Sequence, residues 1–362
     1  MATITFQNVS LEYGADRVVD DVSLDVRDGE LLAVVGPSGA GKSSLLRIAA
    51  GLEAPTSGTV LIDGRSMAGV DTAHRNVAMV FQDNVLYPFK TVRENVSFPL
   101  EIAHESPDEI ERRVNAEARV LAIEQLLDSK PGRLSAGHQQ LAQAARAMVR
   151  VPDVFLMDEP LARLDQHLRG RMRREFRLLQ RGYGVTTLFV TNDQADAMAI
   201  ADRIAVVDGG RLQQVGPPLE VYRNPATTAV AGVIGSPPIN LIPATVVAGS
   251  PGYWLQFGSS RLRAWPEALD AWVGRSVLVG IRPDAISVDE GGDLVGTLEH
   301  VEYQGSHSYL FVEFAGTDDT IEVRHDQAGA GVGASLRFAV RSFSLFDPDS
   351  GRALAPTSGL GR

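Results

Sequence analysis

Residues 36–43 read Gly-Pro-Ser-Gly-Ala-Gly-Lys-Ser, directly after the unbroken apolar run Leu31–Val35 and directly before a segment with helical spacing over 42–51. The stretch matches G-x-x-x-x-G-K-[ST], and it stands where that pattern has physical meaning: a strand feeds a tight loop that opens a helix. Glycines at 36, 39 and 41 let backbone N–H groups close around phosphates, and the helix N-terminus adds its partial positive charge. The cradle comprises Gly36, Pro37, Ser38, Gly39, Ala40, Gly41, Lys42, Ser43 and Ser44. Lys42 is expected to neutralise the β- and γ-phosphates, and Ser43 to hold Mg²⁺.

A second motif lies downstream. Val154-Phe155-Leu156-Met157 is a continuous apolar run, as expected for a parallel strand buried on both faces, and it ends in Asp158-Glu159-Pro160. Asp158 fits a Mg²⁺-associated acid, and Glu159 the base that polarises an attacking water. Thr186–Val190 reads as another buried strand, and Ile204–Asp208, Gly209-Gly210 and Arg211–Val215 as a hairpin. The first 35 residues alternate in the β manner at Ile4, Phe6, Val9 and Leu11, then at Val22, Leu24 and Val26. Helices are expected over 107–128, with Ile110, Val114, Ala118, Leu121 and Leu126 on one face, and over 136–150. Strands alternating with helices after an antiparallel start argue for an α/β core.

From about residue 216 the texture changes. "GPPLEVYRNP" and "GSPPIN" read as a connector, and beyond 240 short apolar segments alternate with turns: 277–281, 294–301, 309–314, 320–323 and 336–340. These predict a small β-barrel-like domain.

Composition removes several function classes. The 362-residue chain carries a net charge of −11, which argues against a general nucleic-acid binder. It has no cysteine, so disulfides, thiolate zinc sites and thiol catalysis are excluded. No apolar stretch approaches the ~20 residues a membrane-crossing helix needs, so a soluble, cytoplasmic chain is expected, reaching a membrane only through partners.

These motifs, with others in order, resemble those of ATP-binding-cassette ATPases, specifically the ATPase subunit of bacterial sugar importers of the maltose/trehalose/glycerol-phosphate type. "MVFQDNVLYPFKTVRENVSFPL" carries Gln82 of the Q-loop, "LSAGHQQ" stands at the signature, and "LMDEPLARLD" and "VTNDQADAM" follow; "GIRPDAI" and "LFDPDSGRAL" resemble the regulatory tail. The resemblance covers nearly the whole chain. It implies a P-loop ATPase core with an antiparallel β subdomain and a helical insert at about 85–150, spanning residues 1–235. A C-terminal all-β, OB-like regulatory domain is implied over 236–362. It implies ATP and Mg²⁺ as cofactors, with Tyr13 stacking on adenine and Gln82 beside Ser43 and Asp158 at the metal. Catalysis is carried by Glu159, Gln82, Lys42 and the residue at 192. Ser135, Gly137, His138 and Asp165 act on ATP across a dimer interface. The implied partners are transmembrane permease subunits contacted around Gln82–Pro88 and the helical insert, an extracytoplasmic solute-binding protein, and a second ATPase subunit. The chain would then sit on the cytoplasmic face of the cell membrane.

The sequence departs from the family at three places. Asn192 stands where a histidine contacts the terminal phosphate; an amide donates a hydrogen bond but carries no charge. The signature reads Leu134-Ser135-Ala136-Gly137-His138, and the residue after the two glutamines is Leu141 where the family prefers arginine. Ala162-Arg163 precede Leu164-Asp165 in the D-loop. Asn192 acts on its own chain's ATP, whereas Ala136 and His138 face the partner's. A homodimer therefore carries both changes at each site, and a heterodimer with an intact ATPase only one. The expected activity is slow ATP hydrolysis powering sugar import; the alternative is a hydrolysis-impaired, ATP-binding subunit of an asymmetric heterodimer.

Overall fold

The computed structural model describes residues 2–83, 85–264, 267–314, 320–326 and 331–359. The described chain divides into two compact units, one ending at Pro218 and one beginning at Leu219.

The N-terminal unit holds two sheets. β1 (Ile4–Tyr13), β2 (Asp16–Val26), β4 (Ser57–Ile62) and β5 (Arg65–Ser66) form an antiparallel sheet in the order β2-β1-β4-β5. The second sheet contains β3 (Leu31–Val35), β6 (Val77–Val80), β7 (Val154–Asp158), β8 (Thr186–Thr191), β9 (Arg203–Asp208) and β10 (Arg211–Gly216), in the order β10-β9-β3-β8-β7-β6. β9, β3, β8, β7 and β6 run parallel, and β10 closes one edge as the antiparallel arm of a hairpin. Every residue of β3, β7 and β8 is buried, which is why these strands read as solid apolar runs rather than as alternation. One face of these strands, with Leu32, Val34, Val154, Leu156, Leu188 and Val190, shares a core with the inward faces of β1, β2 and β4 and with α1 (Lys42–Ala50).

Arg75 fixes the far end of α1. Its guanidinium donates to the carbonyls of Ile48 (2.8 Å) and Ala49 (3.2 Å) in the last turn, and also to Val70 and Met67. A cation on orphan C-terminal carbonyls satisfies both hydrogen bonding and the helix dipole.

The helical insert consists of α2 (Val92–Ile102), α3 (Pro107–Val120) and α4 (Ala136–Met148). α2 opens on a reciprocal capping box: the Glu94 amide donates to Thr91 Oγ1 at 3.2 Å and the Thr91 amide to Glu94 Oε2 at 2.6 Å. α3 stops at Val120, short of the helix expected over 107–128. Ala122 adopts a left-handed φ of 52°, the Ile123 amide returns to the Ala118 carbonyl, and Leu126 falls in a separate 3-10 turn over 124–126. The turn buries Leu121, Ile123 and Leu127, which a continued helix would splay around its axis.

Two more helices complete the unit, α5 (Gln166–Tyr183) and α6 (Gln194–Ile200). α5 presents Met172, Phe176 and Leu179 inward, and the 1 %-exposed Gln180 ties the N-terminal ends of two strands together by donating to the carbonyls of Gly29 and Val185.

In the C-terminal unit the 216–240 stretch read as a connector contains two short helices, α7 (Pro218–Arg223) and α8 (Thr228–Val233). Beyond it lie a six-stranded and a five-stranded antiparallel sheet whose inner faces share one apolar core, from Ile242 to Leu345. The expected strands are all present, so the all-β expectation holds. Six further strands complete the two sheets among the described residues, including Tyr253–Phe257 and Ser260–Ala264, which pair as an antiparallel hairpin.

Leu156 lies at the centre of the N-terminal core and is fully buried. Leu156→Ala is expected to cost about 2–5 kcal/mol through lost burial and the cavity left behind. Hydrogen exchange of the β7 amides checks this, since local opening there should become correspondingly faster.

Candidate active site

The parallel register brings four strand ends level. Val35 pairs with Thr191, Asp158 with Val190, and Val80 with Met157. The residues that follow β3, β7, β8 and β6 therefore emerge at one edge: Gly36, Glu159, Asn192 and Gln82. The carboxyl edge of such a sheet is where open α/β folds bind ligands.

After β3 the chain turns through Gly36–Gly41 into α1. A Cβ on Gly36 would lie 1.9 Å from the Val207 carbonyl oxygen, so only glycine fits. Gly41 has a φ of 92°, and its Cβ would lie 2.4 Å from the Val18 carbonyl oxygen. Gly41 caps α1 without a side-chain hydrogen bond, leaving the first-turn amides open to an anion. Pro37, Ser38 and Gly39 are exposed, Ser43 and Ser44 half-buried, and Ala40 and Lys42 buried. Lys42 Nζ donates to the carbonyls of Gly36 (2.9 Å) and Pro37 (2.7 Å), folding its ammonium back over the loop. Burial pulls the Lys42 pKa down, opposed by the charges of Glu159 and Asp158.

Ser43 Oγ donates to Asp158 Oδ1 at 2.8 Å, which joins the loop to the end of β7. Burial pushes the Asp158 carboxyl upward against the pull of Ser43, Arg47 and Lys42. Glu159 has a left-handed φ of 44°, rare for a non-glycine residue, and its amide is held by the Val190 carbonyl at 2.9 Å. That turn aims the carboxylate back along the strand edge. Asn192 Nδ2 donates to Glu159 Oε1, and Gln82 Nε2 lies 3.4 Å from Oε2. Burial also raises the Glu159 pKa, which makes this carboxylate a better proton acceptor.

Lys42, Ser43, Asp158, Glu159, Gln82 and Asn192 thus converge. The loop carbonyls of Gly36 and Pro37 join this cluster through Lys42. Tyr13, Ser135, Gly137, His138 and Asp165 stand apart from it, with no hydrogen bond to it among the described residues. Tyr13 ends β1 and is 52 % exposed, and a hydrogen bond to Glu53 raises its phenol pKa. Ser135 caps α4, its hydroxyl accepting from the His138 amide at 3.3 Å. Gly137 packs so closely on Leu168 that a Cβ would meet Cδ2 at 2.5 Å, and His138 is half-buried. Asp165 caps α5 by accepting from the Leu168 amide.

Three residues assigned no role from the sequence line a cavity of about 440 Å³ with Glu159 and Asn192: Arg169, and Asp193 and Asp196 from within the VTNDQADAM segment. The signal was the four-residue spacing of Arg169, Arg173 and Arg177 opposite a run of aspartates.

A glycine-rich loop joining strand to helix, with acids at the neighbouring strand end, defines a P-loop nucleotide-binding fold. An ABC transporter model matches residues 19–162, a MalK OB fold domain model 235–286, and a TOBE domain model 279–346. The chain is 43 % identical over 358 residues to an sn-glycerol-3-phosphate import ATP-binding protein of Ruegeria pomeroyi, covering 98 % of this chain and 100 % of that one. It is 41 % identical to a trehalose/maltose import ATP-binding protein of Thermococcus litoralis, with the same coverage. Among solved structures it is similar to a dimeric ATP-binding cassette in a post-hydrolysis state bound to ADP and Pi. That likeness has 29 % identity and a TM-score of 0.54 over 59 % of this chain and 98 % of the other. The chain belongs to the ABC transporter family, as an ATP-binding subunit with C-terminal OB and TOBE domains.

Asp196 is 1 % exposed, and burial, helped by Asp193, pushes its carboxyl up to about 6 against the pull of Arg169 and Arg173. A raised acid favours the folded state only while protonated. Its contribution is full below the ordinary value of 3.8 and is lost as pH rises to about 6. Asp196→Asn should therefore melt higher than the parent above about pH 6 and level with it at 3.8, as calorimetry across that window would read.

Proposed function

We propose that this chain binds and hydrolyses ATP to energise import of a carbohydrate or carbohydrate phosphate through an ABC transporter. The convergence of Lys42, the Ser43–Asp158 pair and Glu159 at one sheet edge carries the reading. The relatives support the cargo class: their names specify glycerol phosphate, trehalose/maltose, lactose and xylose/arabinose import.

On this reading the Gly36–Ser44 amides surround the phosphates and Lys42 swings from the loop carbonyls to the β- and γ-phosphates. The Ser43 hydroxyl and Asp158 carboxylate, already adjacent at 2.8 Å, are a hard oxygen pair that suits Mg²⁺, with Gln82 beside them. When bound, that ion neutralises charge on the transferring phosphoryl group. Glu159 accepts the proton of the attacking water. Asn192 holds the carboxylate of Glu159 in place, and its neutral amide substitutes for a cationic donor at the γ-phosphate. Tyr13 stacks on the adenine.

The exposed N-terminus of α4, with Ser135, Gly137 and His138, faces the ATP of a second ATPase subunit, as does Asp165. Opening and closing of that pair moves permease subunits supplied by an extracytoplasmic binding protein. Among the described residues no helix is long and apolar enough to cross a membrane. On this reading the chain works at the cytoplasmic face, held there by the permease subunits.

Steady-state MgATP turnover tests the assignment. Glu159→Gln should lower kcat by about 10²–10⁴, the usual worth of a positioned base, while nucleotide affinity persists. Undiminished turnover in that variant would refute the assignment. Asn192→Ala should cost about 10²–10³, as loss of one preorganised donor does.

A further inference from the structure

α5 presents Arg169, Arg173 and Arg177 at four-residue spacing, which places them in one stripe along the helix. Each meets the segment that follows β8. Arg169 Nη1 donates to Asp193 Oδ2. Arg173 Nη1 donates to the Ala195 carbonyl at 3.1 Å, and its Nε lies 3.6 Å from Asp196 Oδ1. Arg177 Nη1 donates to Asp202 Oδ2 at 3.0 Å.

The first rung differs from the other two in what lies behind it. Asp193 adjoins Asn192, the residue whose amide reaches Glu159. Asp193 also organises the turn between β8 and α6: its amide donates to Thr191 Oγ1 at 3.0 Å and its Oδ1 accepts from the Ala195 amide at 2.8 Å. Holding its carboxylate therefore holds the backbone at 192. The Arg169 side chain is 23 % exposed, so its pair with Asp193 is sheltered relative to a free surface pair. It lines the same cavity as Glu159 and Asn192, yet its contact is to Asp193 and not to the reacting groups.

We propose that Arg169 is a positioning residue for ATP hydrolysis: by clamping Asp193 to α5 it sets where the Asn192 amide meets Glu159. Asparagine has one rotatable methylene between backbone and amide, so its reach is dictated almost wholly by the backbone position. The inference rests on Glu159 being the base, and the test separates the two.

The full chain is assayed as wild type, Arg169→Ala, Arg169→Lys, Arg177→Ala and Glu159→Gln, for MgATP turnover, affinity for a fluorescent ATP analogue, and thermal melting. Arg169→Ala should lose about tenfold in kcat, within the ~10²-fold that a 1 Å misplacement costs, with affinity for the analogue unchanged. Arg169→Lys should recover most of that loss, because it keeps the charge on Asp193. Arg177→Ala removes the equivalent rung distant from Glu159, so it should lower the melting temperature without lowering kcat. Wild-type kcat in Arg169→Ala, or an equal kcat loss in Arg177→Ala, overturns the proposal while an inactive Glu159→Gln leaves the base assignment standing. An active Glu159→Gln overturns both.

Discussion

The alignment of strand ends in the parallel sheet is the constraint on which the candidate site depends. One residue of slip along a strand moves its end by about 3.3 Å. The hydrogen-bond window is only about half an ångström wide. A single slip of β7 against its neighbours β8 and β6 would therefore separate Glu159 from both Asn192 and Gln82. Burial on both faces resists slip, because Leu32, Val34, Leu156 and Leu188 must keep their places in one packed core. The opposite end of the sheet is also pinned: Gln180 binds the turn before β3 and the residue before β8 with one amide group. Arg75 does the same for the far end of α1. Precision at the functional edge is set by contacts at the other.

Electrostatics explain why this edge invites ligand. Lys42, Asp158 and Glu159 are drawn from water together, and burial works against the charge of each. The ammonium and the two carboxylates partly offset one another, but one negative charge is left over and Lys42 rests on carbonyl oxygens alone. An anion with a divalent cation fits this arrangement: the anion takes the lysine and the loop amides, and the cation takes the surplus carboxylate charge. The left-handed backbone at Glu159 belongs to the same account. Such strain typically costs about 1–3 kcal/mol and persists where surrounding structure over-determines it. Here the Val190 carbonyl, Gln82 and Asn192 all hold the residue in that turn.

Much of this was legible in the sequence because burial on two faces leaves an unbroken apolar run, as in Leu31–Val35 and Val154–Met157, and because phosphate chemistry demands glycines at fixed offsets. The site's members came from motifs, and six of them meet in space. What stayed hidden followed from averaging over context. The end of α3 depends on the left-handed Ala122, a conformation that alanine composition does not announce. α5 carries six arginines between Arg169 and Arg181, so its apolar stripe of Met172, Phe176 and Leu179 is sparse in the sequence. Helices α7 and α8 are too short for periodicity to register, and the carbonyls at their C-terminal ends are gathered by the buried Arg282, far along the chain. Asp193 and Asp196 stood within a recognised segment, but their pairing with Arg169 and Arg173 required knowledge of which helix lies beside which strand.

The departure at residue 192 and the arginine stripe are best understood together. A histidine places its ring donor farther from the backbone than asparagine places its amide, so a shorter donor demands a closer backbone. At this edge the turn after β8 is tied down at Asp193 by Arg169, at Ala195 by Arg173, and internally by Thr191. The amide of Asn192 consequently meets Glu159 without the length of an imidazole. What the substitution gives up is the option of positive charge; what the clamped turn preserves is the donor's position. On the proposed reading, in which that group orients a carboxylate, position is the larger part of the requirement, since a displaced charge orients nothing.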